Sequence, residues 1–192
     1  MMHIITGSAR GVRLETLQGE KTRPTAERTK EAVFSMLQFD LEGRRVLDLF
    51  AGSGQLGLEA LSRGAAFAVM VDQAKDACAV INRNATKTKL ASKARILSME
   101  ALAYLRGCAD APFHLVFLDP PYAAGLLPPV LEALADQGLL APNATVVVEC
   151  GDPNALFGEN EALRARYEIT KNKRYGAAHV FFLSPVAHKE EI

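Results

Sequence analysis

The chain has 192 residues, 49% hydrophobic and 23% charged, which is enough for one domain with a substantial core and too little for two large ones. Its 22 Lys and Arg balance 22 Asp and Glu, excluding an overall positive field that draws the protein onto nucleic acid and leaving such contacts to local patches. No apolar stretch approaches 18 residues and no basic-then-apolar leader opens the chain, so neither membrane insertion nor secretion is expected and a cytoplasmic location is; Cys78, Cys108 and Cys150 lack a CxxC pair or a nearby His cluster and read as buried free thiols without a metal site.

In chain order, a short strand-like pair at 3–6 and 12–16 is joined by Gly7-Ser8-Ala9-Arg10-Gly11. A helix is predicted from about Ala26 to Phe39, with Thr25 as its N-cap and Val33, Phe34 and Leu37 on one face. Together these make a small N-terminal extension, residues 1–40, packed on a main unit, 41–192, within one globular whole. From Arg45, strand-like runs at 45–50, 67–72, 94–98, 113–118 and 144–149 alternate with helix-like segments at 55–64, 74–87, 99–107 and 126–137. Such alternation implies βαβ units, a parallel sheet and right-handed crossovers. Runs from Tyr167 to Asn172 and from His179 to Ser184 flank Lys173-Arg174-Tyr175-Gly176 and read as a closing antiparallel hairpin. The expected fold class is α/β: a doubly wound, mostly parallel, seven-stranded Rossmann-like sheet ending in that hairpin.

The first long strand runs into Ala51-Gly52-Ser53-Gly54-Gln55-Leu56-Gly57 and then into a helix. Gly52, Gly54 and Gly57 have GxGxxG spacing in the strand-turn-helix context that lets backbone approach a nucleotide-like ligand closely. Asp72 ends the next strand, 20 residues after Gly52; it either accepts from ribose hydroxyls or serves as a helix N-cap. Asp48 lies inside an otherwise apolar strand, where a carboxylate needs a partner. That partner is either a cationic amino-acid moiety, which S-adenosylmethionine carries and NAD does not, or a loop amide. Glu100 follows the third strand, placed either for the adenine side of such a ligand or as an ordinary helix-start acid.

The apolar run 113–118 ends in Asp119-Pro120-Pro121-Tyr122. Two prolines fix φ and donate no backbone hydrogen bond, so the chain leaves the strand as a stiff loop. The Asp119 carboxylate and the Pro120 carbonyl are then neighbouring acceptors beside the Tyr122 ring, an arrangement suited to a planar group bearing an NH2.

DxFxGxG at 48–54 with DPPY at 119–122 resembles the class I S-adenosylmethionine-dependent methyltransferases that act on amines. The likeness extends along almost the whole chain to the RsmD family, the bacterial 16S ribosomal RNA guanine-N2 methyltransferases. It is carried by Ile4-Ile5-Thr6-Gly7 with Arg10-Gly11, Arg23-Pro24-Thr25 with Glu31-Ala32-Val33-Phe34, the run from Leu47 to Gly54, the run from Leu56 to Ala65, DPPY, and Lys173-Arg174-Tyr175-Gly176. Thr6, Asp72, Glu100 and Ala177 depart from the family's commonest residues, the two acids with charge preserved. The resemblance implies that Asp48, Phe50, Ala51, Gly52, Ser53, Gly54, Gly57, Asp72, Glu100 and Ala101 hold S-adenosyl-L-methionine. It implies that Asp119, Pro120, Pro121 and Tyr122 receive the guanine amine, with no metal. It also implies that Arg10, Arg23, Thr25, Arg28, Lys173, Arg174 and Tyr175 contact 16S rRNA.

Basic residues crowd both ends of the chain. Arg10, Arg13, Lys21, Arg23, Arg28 and Lys30 lie in the extension, and Arg164, Arg166, Lys171, Lys173 and Arg174 lie in or beside the hairpin. Each is either a phosphate contact or part of a solvated face, and Tyr175 either stacks on RNA or packs. The zero net charge favours a substrate already carrying ribosomal proteins, within a 30S subunit or an assembly intermediate, and the protein is expected to be a monomer. Other readings are weaker. An adenine-N6 methyltransferase needs a target-recognition domain for which the roughly forty residues after the core leave little room. An NAD-dependent dehydrogenase explains the glycines and Asp72 but neither Asp48 nor DPPY.

Overall fold

Strands buried on both sides are written as nearly continuous apolar runs, and such runs form the centre of one sheet whose parallel part has five strands. The computed structural model describes residues 2–17, 24–37, 40–121 and 125–186. The parallel strands are β1 (Arg45–Asp48), β2 (Phe67–Asp72), β3 (Ala94–Ser98), β4 (Phe113–Leu118) and β5 (Leu140–Cys150). A hairpin of β6 (Tyr167–Tyr175) and β7 (Ala178–Pro185) completes the sheet, with β7 antiparallel to both β5 and β6. The strand order is β3-β2-β1-β4-β5-β7-β6, as expected of a doubly wound fold with a C-terminal hairpin.

The helices are α1 (Pro24–Met36), α2 (Gln55–Ser62), α3 (Lys75–Lys87), α4 (Ala101–Gly107), α5 (Leu127–Asp136) and α6 (Glu161–Arg164). Successive strand side chains point to opposite faces, and the core divides accordingly. Val46, Met70, Leu115 and Phe117 pack with Phe34 of α1, Leu58 and Leu61 of α2 and Ile81 of α3. On the other face, Leu47, Val69, Val116 and Leu118 pack with Leu105 of α4, Leu131 and Leu134 of α5 and Leu163 of α6. Each fully buried Leu, Val or Phe contributes about 1.5–3 kcal/mol, so both layers are firmly held. Phe34 meets Phe117 with ring centroids 5.7 Å apart, which fixes α1 against β4 two residues before Asp119. No helix among the described residues is long and apolar enough to cross a membrane.

Four boundaries differ from the sequence reading. Helix α1 begins at Pro24, so Thr25 lies in its first turn and is not the N-cap; the fixed φ of proline suits the first helical position. The strand pair at 3–6 and 12–16 is reduced to one bridge between His3 and Arg13, with Ile4 N donating to Val12 O at 3.0 Å and Leu14 N to Met2 O at 3.0 Å. Strand β5 starts at Leu140, before the expected 144, and passes Asn143 in the left-handed region at φ 60° with a shift of register against β4. Strand β6 continues through Lys173, Arg174 and Tyr175, because Tyr175 pairs with Ala178 across a two-residue turn at Gly176 and Ala177, with Gly176 at φ 62°.

The N-terminal segment buries Met2, Ile4, Ala9 and Leu14 in the α1-side core and is tied to α2 and α3 by polar contacts as well. The buried Glu59 carboxylate accepts the Ile5 amide at 2.7 Å and the Thr6 amide at 3.0 Å. Ser62 accepts from Ala9 N at 3.0 Å and donates to Thr6 O at 2.7 Å, while Asn84 exchanges bonds with the backbone of Glu15. Gly7 (φ 90°) passes so near α2 that a Cβ there would sit 1.8 Å from the Ser62 carbonyl oxygen.

Candidate active site

From β1 the chain moves outward through β2 and β3, then returns to place β4 on the other side of β1. The loops leaving β1 and β4 diverge at this reversal, and open α/β sheets hold ligands in the resulting crevice beyond the carboxyl ends of the strands. A cavity of about 640 Å³ lies there, lined by Leu17, Leu49, Phe50, Gly52, Asp72, Gln73, Glu100, Ala101, Leu102, Asp119, Pro120, Pro121, Leu126 and Glu149. The fold thus brings the glycine loop and the Asp-Pro-Pro loop, 62 or more residues apart in sequence, to one space.

Gly52 and Gly54 hold φ values of 52° and 77°, a region that strains residues carrying a Cβ. Gly57 is required for a different reason. A Cβ there would lie 2.7 Å from Cγ and Sδ of Met70, so α2 rests directly on β2. The loop is braced from below as well, with Ala51 N donating to Val71 O at 3.1 Å and Gly54 N to Ala51 O at 2.6 Å.

Asp72 accepts the Gly52 amide on Oδ2 at 2.9 Å and the Ala74 amide on Oδ1 at 2.8 Å. It secures the loop and the approach to α3 while still lining the cavity. Asp48 is 1% exposed and accepts the Gly57 amide at 3.1 Å, so of its two readings the loop-amide one is what the geometry shows. Burial pushes its carboxyl up to about 7; the Gly57 hydrogen bond opposes the rise and the nearby Asp72 adds to it.

The candidate cofactor residues therefore divide by location. Phe50, Gly52, Asp72, Glu100 and Ala101 line the cavity. Asp48, Ala51, Ser53, Gly54 and Gly57 form the buried loop and its support, with the Ser53 hydroxyl turned toward Met2 Sδ at 3.2 Å. Asp119, Pro120 and Pro121 line the cavity beside β4, and Tyr122 lies outside the described residues. The site also contains residues that the motifs did not mark: Leu17, Gln73, Leu102, Leu126 and Glu149. Glu149 carried a legible signal, a carboxylate closing an apolar strand as Asp119 does.

The basic residues separate more sharply. Arg10, Arg13, Arg28, Lys173 and Arg174 are exposed, while Lys21, Arg23 and the side chain of Thr25 lie outside the described residues. Lys30 does not belong to a phosphate-binding face: it is 4% exposed, pairs with Glu59 at 3.3 Å and donates to the His3 carbonyl at 2.8 Å. Its burial lowers its pKa, with the Glu59 carboxylate opposing that shift. Arg166 is engaged by Asp136 at 2.6 Å. Lys171 and Lys173 stand opposite Phe182 and Val180, on the α1 face of the sheet, whereas Arg174 stands opposite His179 on the other face. Tyr175 is half-buried against the α1-side core, so packing is at least part of its role. Glu59, unmarked by any catalytic pattern, holds both Lys30 and Arg63, the latter at 2.8 Å.

Comparison with known proteins agrees with this architecture. Residues 2–184 match the family model described as Conserved hypothetical protein 95. Ribosomal RNA small subunit methyltransferase D of Escherichia coli K12 is 37% identical over 155 residues, spanning 81% of this chain and 77% of that protein. Its Haemophilus influenzae counterpart is 36% identical over 150 residues, spanning 77% of this chain and 78% of that one. The solved structure of Escherichia coli yhhF superimposes with a TM-score of 0.83 at 32% identity, covering 97% of this chain and 98% of that one. With the family model covering nearly its full length and such relatives aligned over most of it, the chain belongs to the RsmD family.

Proposed function

We propose that the protein transfers a methyl group from S-adenosyl-L-methionine to the exocyclic N2 of a guanine in 16S ribosomal RNA. The observation that carries this reading is the convergence of the glycine loop and Asp119-Pro120-Pro121 on one cavity at the reversal of strand order. Names of relatives in two bacteria support ribosomal RNA of the small subunit as substrate.

The lining fits such a cofactor. Gly52 lines the cavity without a side chain to fill it, Asp72 and Glu100 offer acceptors for hydroxyl and amino groups, and Phe50, Leu102 and Leu126 offer apolar surface. When bound, the cofactor supplies a methyl group on a sulfonium, an excellent leaving group. The protein's contribution is then alignment, for which no covalent nucleophile is needed.

Guanine N2 is a poor nucleophile because its lone pair is delocalised into the ring. Acceptance of its N–H bonds by the Asp119 carboxylate and the Pro120 carbonyl favours a more pyramidal nitrogen with its lone pair aimed away from both acceptors. Tyr122 stacks on the base, a contact worth about 1–3 kcal/mol. The Asp119 and Pro120 acceptors would hold N2 in line with the methyl group that the cofactor would supply, and the N2 proton would pass to the Asp119 carboxylate or to water. A base within a stacked element must first be turned out to reach the cavity. Residues 1–40 act as the RNA-contacting extension of a methyltransferase unit at 41–192. Arg10, Arg23, Thr25 and Arg28 engage RNA there, and Lys173, Arg174 and Tyr175 engage it from the hairpin. A monomer acting on a 30S subunit or assembly intermediate is the form this reading implies.

The test is Asp119→Ala, assayed for cofactor binding by calorimetry and for N2-methylguanine by mass spectrometry of digested RNA. Binding should stay within about threefold while transfer falls at least ~10²-fold, the scale of a misplaced reacting group. Near-normal turnover, or a methylated adenine in the wild-type product, rejects the reading.

A further inference from the structure

A second, smaller space adjoins the cavity beside Asp119. It is a recess of about 60 Å³ that shares Asp119 and Glu149 with the large cavity. Thr29, Lys30 and Val33 of α1 form one wall and Phe117 and Val147 of the sheet another, and the start of α2 contributes its first residue, Gln55. Gln55 does not line the large cavity with Gly52 and Asp72. Its side chain therefore stands on the Asp119 side of the loop whose backbone is offered to the cofactor.

The polar groups around this recess differ in what they already do. Lys30 is held by Glu59 at 3.3 Å and by the His3 carbonyl at 2.8 Å, and Thr29, Asp119 and Glu149 have partners within the protein. The Gln55 carboxamide makes no hydrogen bond among the described residues, although the residue is half-buried. Helix capping does not account for it. A glutamine that caps reaches back from the third helical position, and Gln55 occupies the first, after Gly54 at φ 77°. A carboxamide carries two donors and an acceptor in one plane, so at this position it suits a planar ligand with a donor and an acceptor side by side.

Guanine held by its N2 amine at Asp119 carries that pair on the adjoining edge, N1–H and then O6. Adenine held by its N6 amine carries a bare N1 and then C2–H, with which a carboxamide makes one hydrogen bond at most. We infer that Gln55 recognises the target base by accepting N1–H on Oε1 and donating from Nε2 to O6. The assignment rests on the guanine-N2 reading and adds to it a specificity-determining residue. A bidentate pair of this kind discriminates between bases by roughly 10–100-fold. Asp119 keeps capacity for the amine beside its present partner, since a carboxylate has about four lone-pair sites.

The experiment measures kcat/KM on two RNA fragments that differ only at the target nucleotide, guanine in one and 2-aminopurine in the other. The analogue keeps the N2 amine, lacks O6 and replaces N1–H with an acceptor. The wild type should prefer guanine by at least ~10-fold. In Gln55→Leu, similar in size and without polar atoms, that preference should fall below threefold through a loss on guanine, while S-adenosylmethionine affinity stays within threefold of wild type. A wild-type preference below tenfold overturns the assignment without any variant, and so does a preference that the substitution leaves unchanged. A tenfold loss of S-adenosylmethionine affinity in the variant places Gln55 on the cofactor side and overturns it as well. Absence of N2-methylguanine from the guanine fragment rejects the parent reading, whereas its presence with a preference indifferent to the substitution rejects Gln55 alone.

Discussion

Asp48→Asn should stabilise the cofactor-free protein at pH 8 and lose that advantage as the medium is acidified. The carboxyl is fully enclosed beneath the loop, and its pKa moves from 3.8 to about 7 on folding. The folded protein therefore holds this proton more tightly than the unfolded chain. Between pH 4 and 7 folding takes up a proton, and stability from this group falls as pH rises; below pH 4 both states are protonated, and above pH 7 the full burden of a buried anion is present. A tenfold change in an ionisation constant is worth about 1.4 kcal/mol, so that burden reaches about 4 kcal/mol at pH 8.

Asparagine keeps an oxygen for the Gly57 amide but brings an NH2 that needs an acceptor, at about 1–2 kcal/mol if none is found. The net gain is then about 2–3 kcal/mol at pH 8, or roughly 5–10 °C in Tm for a chain of this size. Near pH 5 the remaining burden falls to about 2 kcal/mol or less, matched by the cost of the amide, and the advantage vanishes. Thermal melts of both proteins from pH 4.5 to 8 measure the difference directly. A Tm difference that is flat with pH refutes the buried-anion account.

Three further outcomes are expected. Gly52→Val places a branched side chain at φ 52° and should abolish cofactor binding; unchanged calorimetric affinity would show that the loop does not hold the cofactor. Glu59→Ala leaves Lys30 buried without its carboxylate and frees the amides of Ile5 and Thr6, with an expected loss of about 3–5 kcal/mol; a loss under 1 kcal/mol in denaturant melts contradicts the clamp. Arg28→Glu and Lys173→Glu should each weaken RNA binding and lower the salt slope of log K by about 1, with cofactor affinity unchanged; a slope equal to wild type removes that residue from the RNA face.

Burial on both faces made the central sheet legible. β2 and β4 occupy the ranges read from their apolar runs, as does the partly exposed edge strand β3, and the loops at the carboxyl ends of all three carry cavity residues. The edge was harder. In β6 nearly every residue from Glu168 to Arg174 is exposed, so no alternation marks which face is buried, and Lys-Arg-Tyr-Gly reads as a turn when three of its residues are strand. Pro142 and Asn143 likewise suggest a break where β5 has already begun, because a shifted register accommodates them. Asp48 and Asp72 were recognisable as site acids, but a motif does not record that both oxygens of Asp72 are engaged by backbone amides or that Asp48 lies below the loop and outside the cavity.

Charge was the least legible property, and Lys30 shows why. In sequence it is one cation among several in a basic extension; in the structure it faces inward against Glu59, a residue of α2. The same helix begins immediately after Gly54 of the cofactor loop and, through Glu59 and Ser62, holds residues 5–9 of the extension. Eight residues of helix span only about 12 Å. A shift of the extension would thus be applied to the far end of the element on which the glycine loop is seated. The buried Lys30–Glu59–Arg63 cluster has two well-packed cations around one anion, a network that resists sliding because separating any partner leaves a charge without compensation. It therefore fixes residues 5–9 relative to the glycine loop.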